Sequence, residues 1–137
     1  MNFYTTLIIF LSFIILTSCN DIEYQCGPDD LTQSIVLYED VYERVFEPKC
    51  VGCHSGSFAQ EGFDMSREVG YENMVNVNSR QRTSEILVVP GDPENSYFFR
   101  KITGENIDKT RMPQGTPLSE SEIELVRKWI LDGAIKR

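Results

Sequence analysis

The sequence predicts an all-α domain of several short helices, and three observations predict it. Apolar residues between positions 34 and 47 recur at helical spacing. A capping-box pattern at Ser119 opens a second amphipathic stretch near the end of the chain. No strand-type alternation persists, and no internal repeat is visible.

The first helix is expected over Ser34 to Glu47, with Leu37, Tyr38, Val41, Tyr42, Val45 and Phe46 as its apolar stripe. Ile35 and Val36 are read as opening the same helix, and Pro48 as ending it. Ser66 to Val77 is a weaker helix candidate. A third helix is expected to begin at Asp92 as N-cap with Pro93 at the first helical position, to contain Tyr97, Phe98 and Phe99, and to stop at Gly104. The last runs from Ser119-Glu120-Ser121-Glu122 through Ile123, Val126, Trp129 and Ile130, with Gly133 as its C-terminal cap.

The chemistry of the chain concentrates at Cys50-Val51-Gly52-Cys53-His54, a C-x-x-C-H run that is the attachment signature of c-type haem. Each thiol adds across a porphyrin vinyl group to form a thioether. Cys50 and Cys53 are three residues apart, so on one helical turn they face the same side. His54 is four residues from Cys50 and can bind iron from one face of the ring. Two other readings compete. Zinc would need further ligands, and this chain has one histidine and two other cysteines. A thioredoxin-like dithiol would need a strand before it, whereas Tyr38 to Lys49 reads as an acidic helix.

With a single histidine, bis-histidine ligation within one chain is excluded, and thioether sulfur is the common alternative. Met112 is the first candidate. Pro113 pushes it into extended backbone, within the loop-forming run Thr110-Arg111-Met112-Pro113-Gln114-Gly115. Met65 and Met74 read as core packing, Met65 being the second candidate, and an open sixth site is the remaining alternative. Arg111, beside Met112, is the basic residue singled out for the haem propionates, on adjacency alone.

Residues 1–18 read as a lipoprotein signal peptide. Leu7 to Leu16 is an apolar run interrupted only by Ser12, too short to span a bilayer comfortably. It ends in Leu16-Thr17-Ser18-Cys19, which resembles a bacterial lipobox and implies cleavage before Cys19 and its acylation. Residues 2 to 18 lack the usual Lys or Arg, and an uncleaved N-terminal anchor is the competing reading. Either places the domain outside the cytoplasm and beside a membrane, at the periplasmic face or the outer membrane. Removing residues 1–18 from the 137 leaves 119, enough for one domain with one core. Residues 19–33 read as an acidic tether and 34–137 as the domain. Cys26, in the tether, receives no role. The net charge of −8 argues against nucleic acid and anionic lipid surfaces; it would complement a cationic patch on a redox partner, and simple solubility accounts for it equally well.

Taken together, Cys50 to His54, Gly62-Phe63-Asp64-Met65-Ser66, Val89-Pro90-Gly91-Asp92-Pro93-Glu94-Asn95-Ser96, Arg111-Met112-Pro113, and Pro117-Leu118-Ser119-Glu120 through Trp129 to Ala134 resemble the Planctomycete-type cytochrome c domain, a mono-haem class I cytochrome c relative. The resemblance covers about residues 35–135. It implies one haem c, covalent on Cys50 and Cys53, with His54 as proximal and Met112 as distal iron ligand. Met65 falls where the family tends to carry leucine, in keeping with a core role. Such domains often accompany larger dehydrogenase or anchoring modules. This sequence shows none, so its redox partner is expected to be a separate protein.

No acid, base or nucleophile constellation is evident, so the expected function is that of a membrane-tethered electron carrier and not an enzyme. A haem-based ligand sensor and a structural lipoprotein without haem are the alternatives.

Overall fold

A computed structural model describes residues 34–137. The expected signal peptide, Cys19, Cys26 and the tether lie outside the described residues. Three helical elements carry the core. Helix α1 spans Tyr38–Val41 and continues without a break as a π-wound segment, Tyr42–Val51. Helix α2 spans Tyr97–Thr103, and α3 spans Glu120–Leu131. Two single 3₁₀ turns, Gly56–Phe58 and Gln60–Gly62, follow the first element. Among the described residues there is no strand, only the isolated bridges Val75–Val88, Asn78–Ile86 and Val89–Asp92. The all-α expectation therefore holds for the described residues.

The first helix differs from expectation at both ends. Ile35 and Val36 precede it, and its first turn is closed by the Asp40 carboxylate accepting from the Leu37 N–H at 2.8 Å. Pro48 does not end it. The proline lies inside the π-wound segment, where the wider winding relieves the clash that its ring would make with the carbonyl of Arg44 in an α-helix. The helix thus runs into the C-x-x-C-H motif. Tyr38, Val41, Tyr42, Val45 and Phe46 are buried as the spacing requires.

Ser66 to Val77 is not a helix. Short i→i+4 bonds form, such as Gly70 N–H to Ser66 O at 2.7 Å and Asn73 N–H to Val69 O at 3.0 Å, but they do not propagate. Asn76 takes a left-handed φ of 59° and turns the chain toward Val88, whose carbonyl accepts its N–H at 2.9 Å. Gly70 is needed here for close approach: a Cβ would sit 2.6 Å from the Tyr38 hydroxyl and 2.8 Å from the Met65 carbonyl oxygen.

Helix α2 also starts later than expected. Asp92 caps a preceding turn, accepting from the Asn95 N–H at 3.1 Å, and Ser96 is the N-cap. The Ser96 hydroxyl donates to the Asp92 carbonyl at 2.7 Å and is therefore spent on the turn, not on the helix. Gly104 closes α2 in the left-handed conformation at φ 91°, as expected.

Helix α3 follows its sequence closely. Ser119 and Glu122 form the reciprocal capping box, and Gly133 follows the end of the helix at φ 98°. Leu125, Val126, Trp129 and Ile130 are buried, each contributing about 1.5–3 kcal/mol of transfer free energy. Trp129 meets Tyr38 and Phe46 at ring-centroid distances of 5.7 and 6.0 Å, so α1 and α3 share one aromatic core. Phe98 of α2 joins it edge-on to Phe46 at 5.5 Å. The two ends of the described segment are tied together: Val36 N–H donates to Asp132 Oδ2 at 2.7 Å and Tyr38 N–H to the Ile135 carbonyl at 2.9 Å.

Candidate haem site

The C-x-x-C-H motif is one helical turn. Cys53 N–H and His54 N–H both return to the Cys50 carbonyl, at 3.1 and 3.0 Å. Cys50 packs against the core while Cys53 is exposed. Burial above all, with the nearby Cys53 and Glu122, pushes the Cys50 thiol up to about 12. A thioredoxin-like dithiol needs the opposite shift, because the thiolate is its nucleophile. Nor do three or more His, Cys, Asp or Glu side chains converge as a metal site among the described residues.

His54 is oriented by its own neighbourhood. The chain leaves the motif through the two 3₁₀ turns, with left-handed backbone at Gly56, Glu61 and Gly62. It returns so that Met65 N–H bonds the His54 carbonyl at 2.8 Å. That return brings the Phe63 carbonyl to 3.2 Å from His54 Nδ1. A proton on Nδ1 donated to this carbonyl leaves the Nε2 lone pair free to bind a metal, the usual arrangement for a ligating histidine. The Phe63 ring packs edge-on against the imidazole at a centroid distance of 5.7 Å.

Cys50, Cys53 and His54 line a cavity of about 310 Å³ that Met112 also lines. Its apolar walls include Phe63, Met65, Leu87, Phe98 and Ile102. All four residues expected at the site thus reach one cavity. Met74 does not line it and is fully buried in the core. Met65, read as core, is 1 % exposed and yet also borders the cavity.

The wall that carries Met112 is a loop held against α2. Met112 N–H donates to the Lys101 carbonyl at 2.8 Å. The Lys101 ammonium donates to the carbonyls of Asp108 and Thr110 at 2.9 and 2.6 Å. Arg82 grips both carboxylate oxygens of Asp108, through Nε at 3.0 Å and Nη2 at 2.8 Å. Lys109 reaches Glu61 at 2.8 Å, linking this loop to the turn that follows the C-x-x-C-H motif.

Four cations line the cavity of this acidic protein: Lys49, Arg80, Lys101 and Lys109. Lys49 and Lys109 have carboxylate partners, Glu122 at 3.5 Å and Glu61 at 2.8 Å. Among the described residues Arg80 reaches only the Glu61 carbonyl, at 3.4 Å, and lies against Gly62. Arg111 is not among them. Its Nε donates to the Ile102 carbonyl at 2.7 Å and its stem lies over Gly104, so the structure does not bring it into the lining of the cavity. Adjacency in sequence does not carry over to the site: Met112 lines the cavity, whereas Arg111 is held at Ile102 and Gly104.

The residues present fit covalent haem. Two sulfurs and an oriented imidazole occupy one wall, a thioether occupies another, apolar side chains lie between them, and cations are available for ring carboxylates. Sequence reading missed two contributors. Phe63 acts through its backbone carbonyl, which no side-chain pattern reveals. Lys101 was detectable: it stands four residues after Tyr97 and three after Phe98, on the buried face of α2.

No curated protein and no solved structure matches the chain. The family model described as Planctomycete cytochrome C matches residues 50–114, a span that begins at Cys50 and includes His54, Lys101 and Met112. Over residues 50–114 the chain is therefore similar to the Planctomycete cytochrome C domain.

Proposed function

We propose that this protein is a membrane-tethered, mono-haem electron carrier whose iron is held between His54 and Met112. A cytochrome c domain carries electrons on covalently bound haem, typically as a carrier and not an enzyme. The observation that carries the finer reading is the single cavity lined by Cys50, Cys53, His54 and Met112. Haem c, when bound, supplies an iron that cycles by one electron. Cys50 and Cys53 would hold its edge through thioethers. His54, with Nδ1 given to the Phe63 carbonyl, would present Nε2 to the iron. Met112 would present a soft, weakly donating sulfur, which favours the ferrous state. Phe63, Leu87, Phe98 and Ile102 exclude water from the cavity walls. Arg80, with no carboxylate partner within ion-pair distance among the described residues, is the cation best placed to receive a ring carboxylate.

The protein is exported in this reading, with acylated Cys19 as its anchor. No helix of the described residues is long and apolar enough to cross a membrane. The net charge of −8 favours a separate redox partner with a cationic docking patch.

The deciding experiment is a pyridine haemochrome spectrum of protein exported with haem-attachment machinery, paired with carbon monoxide titration of the reduced form. A c-type spectrum with one haem per chain and weak carbon monoxide binding is expected. Absence of a covalent haem spectrum leaves the structural-lipoprotein reading standing. Tight carbon monoxide binding favours a ligand sensor. Cys19→Ser should release the domain from the membrane fraction, and full retention there would favour the uncleaved anchor.

A further inference from the structure

Lys101 is an unusual residue to find in the interior. It lies in α2 among the buried Tyr97, Phe98 and Ile102, and is itself only 7 % exposed. The acids that act on it through space, Asp108 and Glu61, are bonded instead to Arg82 and Lys109. A buried ammonium must find other acceptors, and this one finds two backbone carbonyls, Asp108 at 2.9 Å and Thr110 at 2.6 Å. Its own carbonyl accepts the Met112 N–H at 2.8 Å. One residue therefore holds positions 108, 110 and 112 of the same loop, and its side chain borders the cavity.

A core position in α2 needs only an apolar side chain. A lysine there adds burial cost without adding packing, so its presence calls for a compensating role. The loop it binds has little regular structure of its own: Asn106 and Lys109 take left-handed φ values of 45° and 57°. Asp108 and Thr110 are exposed residues, so without the ammonium their carbonyls would turn to water and the loop would lose its tie to α2.

We propose that Lys101 is the positioning residue of the distal wall, its ammonium clamping the 108–112 loop in the conformation that keeps the Met112 sulfur at the cavity. The inference rests on the reading of Met112 as an iron ligand. A looser loop leaves Met112 at the cavity for a smaller fraction of the time, and a competing ligand gains by that fraction. Two hydrogen bonds from a charged donor are strong enough for the gain to be about tenfold or more.

The test uses holoprotein with attached haem, in the unaltered form and as Lys101→Met, Lys101→Gln, Met112→Ala and the Lys101→Met/Met112→Ala pair. Two signals are read: the weak red-edge band of ferric methionine-ligated haem, and the carbon monoxide affinity of the reduced form. Lys101→Met should weaken the band and raise the affinity about tenfold, with Lys101→Gln, which keeps an amide donor, changing both less. In the Met112→Ala background, Lys101→Met should move the affinity by less than about twofold, because the clamp acts through Met112. A general loss of structure would instead alter both backgrounds alike. If Lys101→Met does not fold, Lys101→Gln carries the test, and a folded Lys101→Gln with both signals unmoved overturns the clamp. If Met112→Ala erases the band while both Lys101 variants keep it, only the clamp fails. If Met112→Ala itself leaves the band in place, the ligand reading fails, and the clamp fails with it.

Discussion

The two walls of the cavity are built in different ways. The Cys50–His54 wall comes from one continuous stretch: a helix, a motif turn and a return that puts the Phe63 carbonyl against His54, all within residues 38–65. The Met112 wall is assembled from α2, the 79–86 segment and the 105–113 loop, joined by Lys101, Arg82 and Glu85. Local spacing places the first wall. The second exists only when distant segments have docked. Attachment of haem should therefore depend on a few consecutive residues, whereas distal ligation should respond to changes well away from Met112.

The sharpest way to break this contrast is at the first wall. Replacing Cys50 and Cys53 together with Ala should abolish acid–acetone-resistant colour, an all-or-none loss. Colour that extracts freely from the unaltered protein would mean that the motif never binds haem covalently.

Met65→Ala and Met112→Ala separate packing from ligation. Met65 is 1 % exposed, so truncation should cost about 2–5 kcal/mol in a urea titration while leaving the ferric red-edge band intact. Met112 is only half-buried and should cost less stability, yet its loss should erase the band and lower the reduction potential as a harder ligand such as water takes the site. The reverse pattern would assign the sulfur to Met65, which borders the same cavity.

A smaller effect is expected from Ser119→Ala, which removes one partner of the α3 capping box at the rim of the fold. The expected cost is about 1 kcal/mol by thermal or chemical denaturation, with the red-edge band and carbon monoxide affinity unchanged. A shift in either signal would show that α3 is coupled to the site more tightly than its caps suggest.

The smallest effect should appear in acid. Burial opposes ionisation of Asp132, but the Val36 N–H and the Lys128 ammonium outweigh it and hold the carboxyl below its ordinary value. A depressed carboxyl stabilises the fold above its unfolded value, about 3.9, and that contribution disappears as pH falls through the lower folded value. Asp132→Asn should therefore cost stability at neutral pH, and the difference from the unaltered protein should narrow below about pH 4. A gap that is constant with pH would show that Asp132 acts by packing and not by charge.

The elements read correctly from sequence share a physical property: their instructions are local. The α3 capping box spans four residues, the Gly104 stop is set by the left-handed conformation glycine tolerates, and the C-x-x-C-H spacing lies within one turn. Where expectation failed, a distant group had intervened. Pro48 was absorbed because α1 could widen its winding while Val45 and Phe46 stayed buried. Ser66 to Val77 lost its helix to the contact between Gly70 and Tyr38 and to the bridge from Val75 to Val88. Asp92 lost the N-cap because Ser96 is held by the turn behind it.

The sequence alone determined the all-α class of the described residues, the motif turn and the placing of Met112 on a loop and Met74 in the core, because helical period, thiol spacing and the backbone restriction before proline are properties of neighbouring residues. Tertiary structure decided what surrounds that motif. It brought the Phe63 carbonyl to His54, turned Arg111 away from the cavity, put Arg80 at its edge and buried the Lys101 ammonium beneath the Met112 loop. Those are contacts between backbone groups and charges that meet only when the chain is closed. Their energies depend on removal from water, which no linear pattern of residues encodes.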